Sequence, residues 1–264
     1  MSAADPVEGV ATEITSFAHP SHLGVHVGRG SIGYRIAKRA MDLLIATAAL
    51  VLLSPVLLVI SIAIRLDSPG RAIFTQERVR GRRVSGGSDL DAVDDPGSWE
   101  VVPFVLFKFR TMQADADVSL HRDYMSAYLQ GDESRLQALR PGRKDGDSYR
   151  PAHDPRVTRV GSFLRKTSLD ELPQLWNVVK GQMSVIGPRP PIPYEIAHYK
   201  ERHLSRLTVR PGLTGLAQVS GRTSLGFEDQ VDLDLAYLRE RSFWLDVKIL
   251  LWTIPTILSR KGAD

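Results

Sequence analysis

Residues 43–64 form the longest apolar run of the chain, 22 residues without a charged side chain. Four of them are not apolar: Thr47, Ser54, Pro55 and Ser61. As one straight helix the run would be about 33 Å long, enough to cross a hydrocarbon core of about 30 Å. Pro55 removes the hydrogen bond to the Val51 carbonyl and clashes with it, while the Ser54 hydroxyl is able to bond the freed backbone. The pattern therefore predicts two helical arms of about 14 to 17 Å, each one leaflet deep.

Basic residues flank this run on both sides, within residues 29–39 and 65–83. A spanning helix normally carries its Lys and Arg excess on one side, so matched flanks favour a re-entrant hairpin with both ends on the cytoplasmic side. Ser54 and Pro55 would be the break in this membrane helix. A single span kinked at proline remains the alternative, because such kinks are common in spanning helices.

Outside the run, short apolar stretches predict strands at residues 72–74, 104–109 and 216–219. A helical stretch is expected near residues 120–139, and the chain from residue 157 onward is expected to be mainly helical. The predicted fold class is α+β and mainly helical. A membrane-embedded re-entrant helix hairpin would be joined to a cytoplasmic domain that contains a few short strands.

The domain organisation follows the same pattern. Residues 1–33 lack hydrophobic periodicity and are expected to form a flexible N-terminal tail. Residues 34–66 would comprise the basic flank and the re-entrant helix, and residues 67–264 the cytoplasmic domain. Inside that domain, the Gly-, Ser- and Asp-rich residues 84–103 and the highly charged residues 113–154 are predicted to be insertions.

A last helix is predicted over about residues 243–258, where Phe243, Trp244 and Trp252 are accompanied by few charges. Such a helix either belongs to the core or lies in the membrane interface with its tryptophans at headgroup depth. The sequence leaves both interpretations open.

Composition narrows the classes of function. The chain has 264 residues, enough to form a sizeable hydrophobic core that needs no disulfide bonds or metal ions for stability. It contains no cysteine. Disulfides, Cys-ligated zinc, iron–sulfur clusters and a thiol nucleophile are therefore excluded. The net charge of +4 and the isoelectric point near 9.4 fit an anionic partner, whether nucleic acid, acidic lipid or a phosphorylated substrate.

Asp170 and Glu171 open a segment that is predicted to be helical through Val179. One interpretation is structural, because Asp170 is a good N-cap residue and Ser168 with Glu171 matches a capping box. The other is chemical. A carboxylate held beside the N–H groups of a helix start, where phosphate binds, makes Asp170 a candidate nucleophile toward phosphorus. Glu171 is then a candidate ligand for a hard cation such as Mg²⁺.

Basic residues near this segment are candidate phosphate ligands. Arg189 lies between two prolines, which stiffen the backbone and present the guanidinium with little loss of entropy. Lys108 and Arg110 share one side of a predicted strand. The full candidate set is Lys108, Arg110, Arg156, Arg165 and Arg189. Each has the alternative of being a solvated surface charge.

The order of the motifs along the chain is more specific for a protein family than any single motif is. The basic segment that ends at Asp42 and the apolar run with Ser54 and Pro55 are followed by motifs at residues 67–70, 107–112, 154–161, 164–175, 181–190 and 210–215. Over residues 36–254 this order resembles the bacterial sugar transferases known as monotopic polyprenol-phosphate phosphoglycosyl transferases.

The resemblance implies an enzyme that moves a sugar-1-phosphate from a UDP-sugar to undecaprenyl phosphate and releases UMP, as the first membrane step of polysaccharide or glycoconjugate synthesis. It implies that Asp170 forms a covalent phosphosugar intermediate, that Glu171 is tied to the cofactor Mg²⁺, and that residues 67–264 are the catalytic domain. It also implies a monotopic protein at the cytoplasmic face of the bacterial plasma membrane, with membrane lipid as a partner and no nucleic acid. A homodimer is left open.

The chain departs from compact members of that family in its N-terminal tail and in the longer segments 84–103 and 113–154, which leaves the sugar and the assembly partners open. Two other classes of function stay as hypotheses. A conventional glycosyltransferase would leave UDP rather than UMP. A non-catalytic membrane scaffold would use Asp170 and Glu171 only as a helix cap.

Overall fold

Two helices precede the rest of the fold, α1 (Ile32–Leu52) and α2 (Ser54–Asp67). They belong to a computed structural model that describes residues 16–18, 31–84, 98–113, 119–139, 156–221 and 225–259. Taken singly, none of the helices in these ranges combines the length and hydropathy of a membrane span, whereas α1 and α2 meet that criterion together and are bent by 61°.

The bend lies where the sequence predicts it. Pro55 stands in the first turn of α2, where its missing N–H is tolerated. The Ser54 hydroxyl donates to the Val51 carbonyl oxygen at 2.8 Å and replaces the backbone bond that proline cannot make. The predicted helix break is thus confirmed, together with the partner expected for the freed carbonyl.

A three-stranded antiparallel sheet follows, in the order β1 (Ser16–Ala18), β3 (Ser98–Phe109) and β2 (Ile73–Arg83). Strands β2 and β3 pair along the whole of β2, from Ile73 opposite Phe109 to Arg83 opposite Trp99. The two strands predicted here are confirmed, and both are longer than their apolar stretches.

The predicted boundaries of the N-terminal tail and of the first insertion differ from the structure. Both segments contain residues that form strands by pairing with residues distant in the sequence. Strand β1 lies inside the predicted tail, and Ser98–Pro103 belong to β3 rather than to an insertion. The other residues of the tail before residue 31, residues 85–97 and residues 114–118 and 140–155 of the insertions lie outside the described ranges.

The second insertion contributes helices α3 (Ser119–Gln130) and α4 (Glu133–Leu139). The single helical stretch expected near residues 120–139 is divided at Gly131, whose φ of 68° is incompatible with a continuing helix. Tyr124, Ala127 and Leu136 form a small core of their own between these two helices.

The remaining chain is mainly helical, as predicted. Its helices are α5 (Arg159–Thr167), α6 (Leu175–Val179), α7 (Pro193–Ile196), α8 (Glu201–Leu204), α9 (Leu216–Ser220), α10 (Phe227–Glu240) and α11 (Phe243–Leu258). Leu169–Gln174 and Ser205–Thr208 are 3₁₀ turns. Strands β4 (Ser184–Ile186) and β5 (Gly212–Thr214) pair in parallel.

The strand predicted at residues 216–219 is wrong, since this stretch is helix α9. Its backbone starts a helix at Gly215, whose carbonyl accepts the Val219 N–H at 3.1 Å. The strand of this region is β5, just before it, because pairing with β4 selects those residues.

The main core lies between α1, β3, β4, α6, α10 and α11, and it includes the fully buried Ala46, Val178, Ile186, Leu238 and Ile249. The bounds predicted for α11 are confirmed. The core interpretation of that helix is confirmed for the face with the buried Ile249, and the interfacial interpretation stays a prediction for the face with the exposed Trp244, Leu251 and Leu258.

A polar stripe at the start of α1 binds α10 and α11. The Asp246 carboxylate is completely buried and accepts hydrogen bonds from the Tyr34 hydroxyl at 2.9 Å and the Tyr237 hydroxyl at 2.8 Å. The Lys38 ammonium donates to the same carboxylate at 3.0 Å. Three donors from two distant segments therefore compensate one buried charge.

The next turn of α1 binds the end of α6 and strand β4 through Arg39 and Asp42. Arg39 donates to the carbonyl oxygens of residues 178 and 179, at the end of α6, at 2.8 and 3.0 Å. One oxygen of the buried Asp42 accepts from the Ser184 hydroxyl at 3.0 Å and the Val185 N–H at 2.9 Å. Two of the flanking cations used to argue topology, Lys38 and Arg39, thus have partners inside the protein, which weakens that argument.

Candidate active site

Asp170 and Glu171 lie in the 3₁₀ turn between α5 and α6. Helix α5 ends at Thr167, and Ser168 takes a left-handed backbone conformation with φ of 55° that turns the chain. The Ser168 side chain makes no capping hydrogen bond, so the predicted capping box does not form. Pro173 has no N–H, which favours a short tight turn over a regular helix at this point.

The turn is held against β3 by Asn177. The Asn177 amide donates to the Val105 carbonyl at 2.6 Å, and its oxygen accepts the Phe107 N–H at 3.1 Å. A fully buried side chain thus serves as a strand partner and fixes α6 to the sheet. In this setting Asp170 is buried at 7% exposure, and Glu171 is half-buried.

Arg189 is positioned by the parallel pair of β4 and β5. The Gly187 N–H donates to the Thr214 carbonyl at 2.9 Å, and the Gly212 N–H donates to the Pro188 carbonyl at 2.7 Å. The two backbones approach so closely that a Cβ atom on Gly187 would lie 2.5 Å from the Arg210 carbonyl oxygen. Glycine is therefore required for the fold of the segment that carries Arg189.

A cavity of about 340 Å³ brings Asp170, Glu171, Arg165 and Arg189 together in one lining. The Arg165 Nε donates to the Thr111 hydroxyl at 2.9 Å, which fixes the plane of this guanidinium. Carboxylates and guanidinium groups that converge on one cavity are able to orient a phosphorylated ligand beside a nucleophile.

Three other predicted phosphate ligands do not line this cavity. Lys108 and Arg156 are half-buried elsewhere on the surface. Arg110 is buried, and its guanidinium donates to the Pro69 carbonyl at 2.6 Å and the Ser68 carbonyl at 2.7 Å. Arg110 thus stabilises the turn after α2 and does not line the cavity, and its role as a phosphate ligand stays a prediction.

Four charged residues of the lining were not predicted from the sequence as site residues: Arg78, Glu195, Arg206 and Asp234. The buried Arg206 pairs with Asp234 through its Nε at 2.8 Å, and its Nη1 donates to the Tyr199 hydroxyl at 3.1 Å. The sequence offered little signal for Arg206, because residues 203–209 mix polar and apolar side chains and a surface arginine would fit such a stretch equally well.

Glu195 interacts electrostatically with the arginines on this wall. Burial raises the pKa of the Glu195 carboxyl above its ordinary value, and the neighbouring guanidinium groups of Arg78 and Arg189 oppose that shift. Arg78 in turn donates to the Pro190 carbonyl at 2.8 Å. The segment with Arg189 is therefore bound from β2 as well as from β5.

The charged residues of the cavity lining are compatible with a divalent cation bound together with a diphosphate. Four arginines face four carboxylates in this lining, so a diphosphate would enter a site with no formal excess of positive charge. No group of three or more His, Asp or Glu side chains within the described part of the chain could hold a metal alone. Mg²⁺ typically binds one or two carboxylates plus substrate phosphates, and the pair Asp170 and Glu171 fits that arrangement.

Comparison with known proteins places this site in context. A family model described as bacterial sugar transferase matches residues 33–260. An uncharacterized sugar transferase of Haemophilus influenzae is 38% identical over 229 residues, which cover 87% of this chain and 42% of that protein. The UDP-glucose:undecaprenyl-phosphate glucose-1-phosphate transferase of Escherichia coli is 37% identical over 240 residues, with 87% of this chain and 42% of that protein covered.

A relative of similar length also matches. The exopolysaccharide production protein ExoY of Rhizobium meliloti is 34% identical over 228 residues, which cover 86% of this chain and 88% of that protein. The chain therefore spans about two fifths of the first two relatives and most of the third.

Proposed function

Because this chain belongs to the bacterial sugar transferase family, we propose that it transfers a sugar-1-phosphate from a UDP-sugar to undecaprenyl phosphate and releases UMP. The observation that carries the proposal is the convergence of Asp170, Glu171, Arg165 and Arg189 on one cavity. The printed name of the Escherichia coli relative supports this donor class and this acceptor, and the name of ExoY supports exopolysaccharide synthesis as the setting.

The first half-reaction uses Asp170 as the nucleophile. A carboxylate oxygen of Asp170 attacks the sugar-side phosphorus of the UDP-sugar, and the bond from that phosphorus to the bridging oxygen breaks. UMP leaves with the bonding electrons, and the sugar phosphate stays on the protein as a mixed anhydride. Arg165 and Arg189 orient the diphosphate and offset its charge where negative charge develops.

The second half-reaction transfers the sugar phosphate to lipid. A phosphate oxygen of undecaprenyl phosphate attacks the phosphorus of the anhydride, and the Asp170 carboxylate leaves and is regenerated. Glu171 would hold Mg²⁺, which when bound supplies positive charge to the phosphate oxygens. The buried Asp234 keeps Arg206 in place through both steps, and the Glu195 carboxyl lies in the electrostatic range of Arg78 and Arg189.

The nucleotide product tests this function. Purified protein with Mg²⁺ and a panel of UDP-sugars, but without lipid, is expected to release at most about one UMP per active enzyme. A protein adduct heavier by one sugar phosphate should appear with the same time course in mass spectrometry. Added undecaprenyl phosphate should consume the adduct and allow continuous turnover.

The rival functions give different products. UDP as the only nucleotide would favour a conventional glycosyltransferase. A folded protein that releases no nucleotide with any UDP-sugar would favour a membrane scaffold. The identity of the one UDP-sugar that supports the burst would also assign the donor.

For the membrane we propose a re-entrant hairpin of α1 and α2 at the cytoplasmic face of the bacterial plasma membrane. Both helices expose large apolar side chains, such as Leu44, Leu52 and Leu58, and α11 exposes Trp244 and Leu251. Exposed apolar faces of this extent are typical of membrane contact. The catalytic domain, residues 67–264, would then hold its cavity at headgroup depth.

Single cysteines provide a topology test because the chain has no native cysteine. We expect cysteines at Ser31 and Arg71, before α1 and after α2, to react with a membrane-impermeant maleimide in inverted inner-membrane vesicles and not in intact spheroplasts. A cysteine at the exposed Ser259, after α11, reports the side of the catalytic domain as a control. Labelling of Ser31→Cys and Arg71→Cys from opposite sides would establish a kinked single span instead.

A further inference from the structure

The candidate active-site cavity has two chemically different walls. One is charged and carries Asp170, Glu171, Arg165 and Arg189. The other is built by β5, α9 and α11 and is lined by Leu213, Ala217, Leu250, Thr253, Thr256 and Ile257. A UDP-sugar is polar over most of its surface and therefore leaves this second wall without a matching ligand group.

The two threonines do not make the second wall polar. The Thr256 hydroxyl donates to the Trp252 carbonyl at 2.7 Å, and the Thr253 hydroxyl donates to the Ile249 carbonyl at 2.8 Å. Thr253 also shares a hydrogen bond of 2.9 Å with the Thr214 hydroxyl. Since these oxygens are bound within the protein, the wall offers a mainly aliphatic surface to the cavity, to which Gln218 of α9 adds one amide.

The apolar wall reaches the outer surface of the protein at Ile257. This side chain lines the cavity and is also 37% exposed. Its neighbours Ile254 and Leu258 are exposed at 55% and 75% and belong to the outer apolar face of α11. The inside of the cavity is thus continuous, through one residue, with the face that we assign to the membrane.

We propose that this apolar wall holds the first part of the hydrocarbon chain of the lipid phosphate, and that the chain leaves the cavity past Ile257 toward the bilayer. The inference rests on the proposed function, for which it supplies a binding subsite. An amphiphile with an anionic head matches both walls at once, because its phosphate meets the arginines while its chain contacts α9 and α11. Displacement of water from an aliphatic wall favours such a ligand.

Pre-steady-state kinetics of the complete protein in detergent micelles tests the subsite. The variant is Ile257→Trp, which adds bulk at the exit, and the matched control is Ile254→Trp on the same helix, at a residue that does not line the cavity. Two quantities are measured: the lipid-free UMP burst, and the rate of adduct consumption against undecaprenyl phosphate concentration.

We expect Ile257→Trp to raise the half-saturating concentration of undecaprenyl phosphate on the order of tenfold, as for the loss of one apolar contact region, while the burst keeps its amplitude and rate. Ile254→Trp should change neither quantity. If Ile257→Trp also lowers the burst, Ile257→Asp, which adds charge without added bulk, is measured in the same way. A normal burst with weakened lipid dependence in that variant supports the subsite.

Other outcomes overturn the inference in distinguishable ways. An unchanged lipid dependence in both Ile257 variants, or an equal effect of Ile254→Trp, would show that the chain lies elsewhere and that α11 acts only through partition into micelles. Loss of the burst in both Ile257 variants would assign the residue to the donor half-reaction. Absence of a UMP burst in the unmodified protein would instead refute the proposed function itself.

Discussion

Replacing Asp170 by asparagine should abolish both the adduct and turnover, with a loss in rate of at least about 10⁴-fold, as is typical when a covalent nucleophile is removed. Asparagine has nearly the same volume, and the hydrogen bonds of Asn177 to β3 hold the turn that carries it. The fold should therefore persist. The measurements are the UMP burst, the adduct mass and the thermal unfolding midpoint.

Asp123→Asn provides a matched control, because Asp123 is an exposed carboxylate on α3 that does not line the cavity. It should keep the burst and the adduct at unmodified levels. A well-folded Asp170→Asn variant with normal turnover would rule out the covalent mechanism. Retained UMP release without an adduct would instead point to direct attack by water or lipid.

Replacing Glu171 by glutamine should leave the nucleophile in place but lower the rate by on the order of 10²-fold, comparable to the loss of one strong electrostatic contact in an active site. The lining holds equal numbers of arginines and carboxylates, so under our proposal a cation held by Glu171 would supply positive charge in addition to that of Arg165 and Arg189. Glu171→Gln should consequently need more Mg²⁺ for half-maximal activity. Titration of the burst rate with Mg²⁺ measures this change.

Glu171→Asp retains the charge on a shorter side chain and should fall between glutamine and the unmodified protein in both rate and Mg²⁺ requirement. The order of the three proteins separates a lost charge from a lost contact. A Glu171→Gln variant with an unchanged Mg²⁺ titration would remove Glu171 from the metal site, whatever its rate.

Features that depend on local chemistry were predictable. The break at Ser54 and Pro55 requires only a missing N–H and a nearby hydroxyl, and the structure contains both the bend and the expected hydrogen bond. The bounds of α11 follow from a serine N-cap and an apolar stretch. Arg165 lines the same cavity as Asp170 because helix α5, which carries it, leads directly into the turn with Asp170.

Features set by distant partners were not predictable. Whether an arginine faces solvent, a carbonyl or a buried carboxylate depends on segments far away in the chain, as Arg110 and Arg206 demonstrate. The same holds for α9, where pairing of the preceding residues with β4 decides which stretch becomes the strand. The residues that flank an arginine in sequence carry no information about its partner.

The polar stripe of α1 has a practical consequence for anyone who wants a water-soluble form of this protein. Truncation before α2 would remove two of the three donors to the buried Asp246, and an uncompensated buried charge costs about 3 to 5 kcal/mol. It would also deprive the Val185 N–H of its acceptor, Asp42. If the protein is membrane-bound as we propose, detergent-free preparations are better sought by surface redesign of exposed positions such as Leu44 on α1 and Leu58 on α2, with both helices retained as part of the fold.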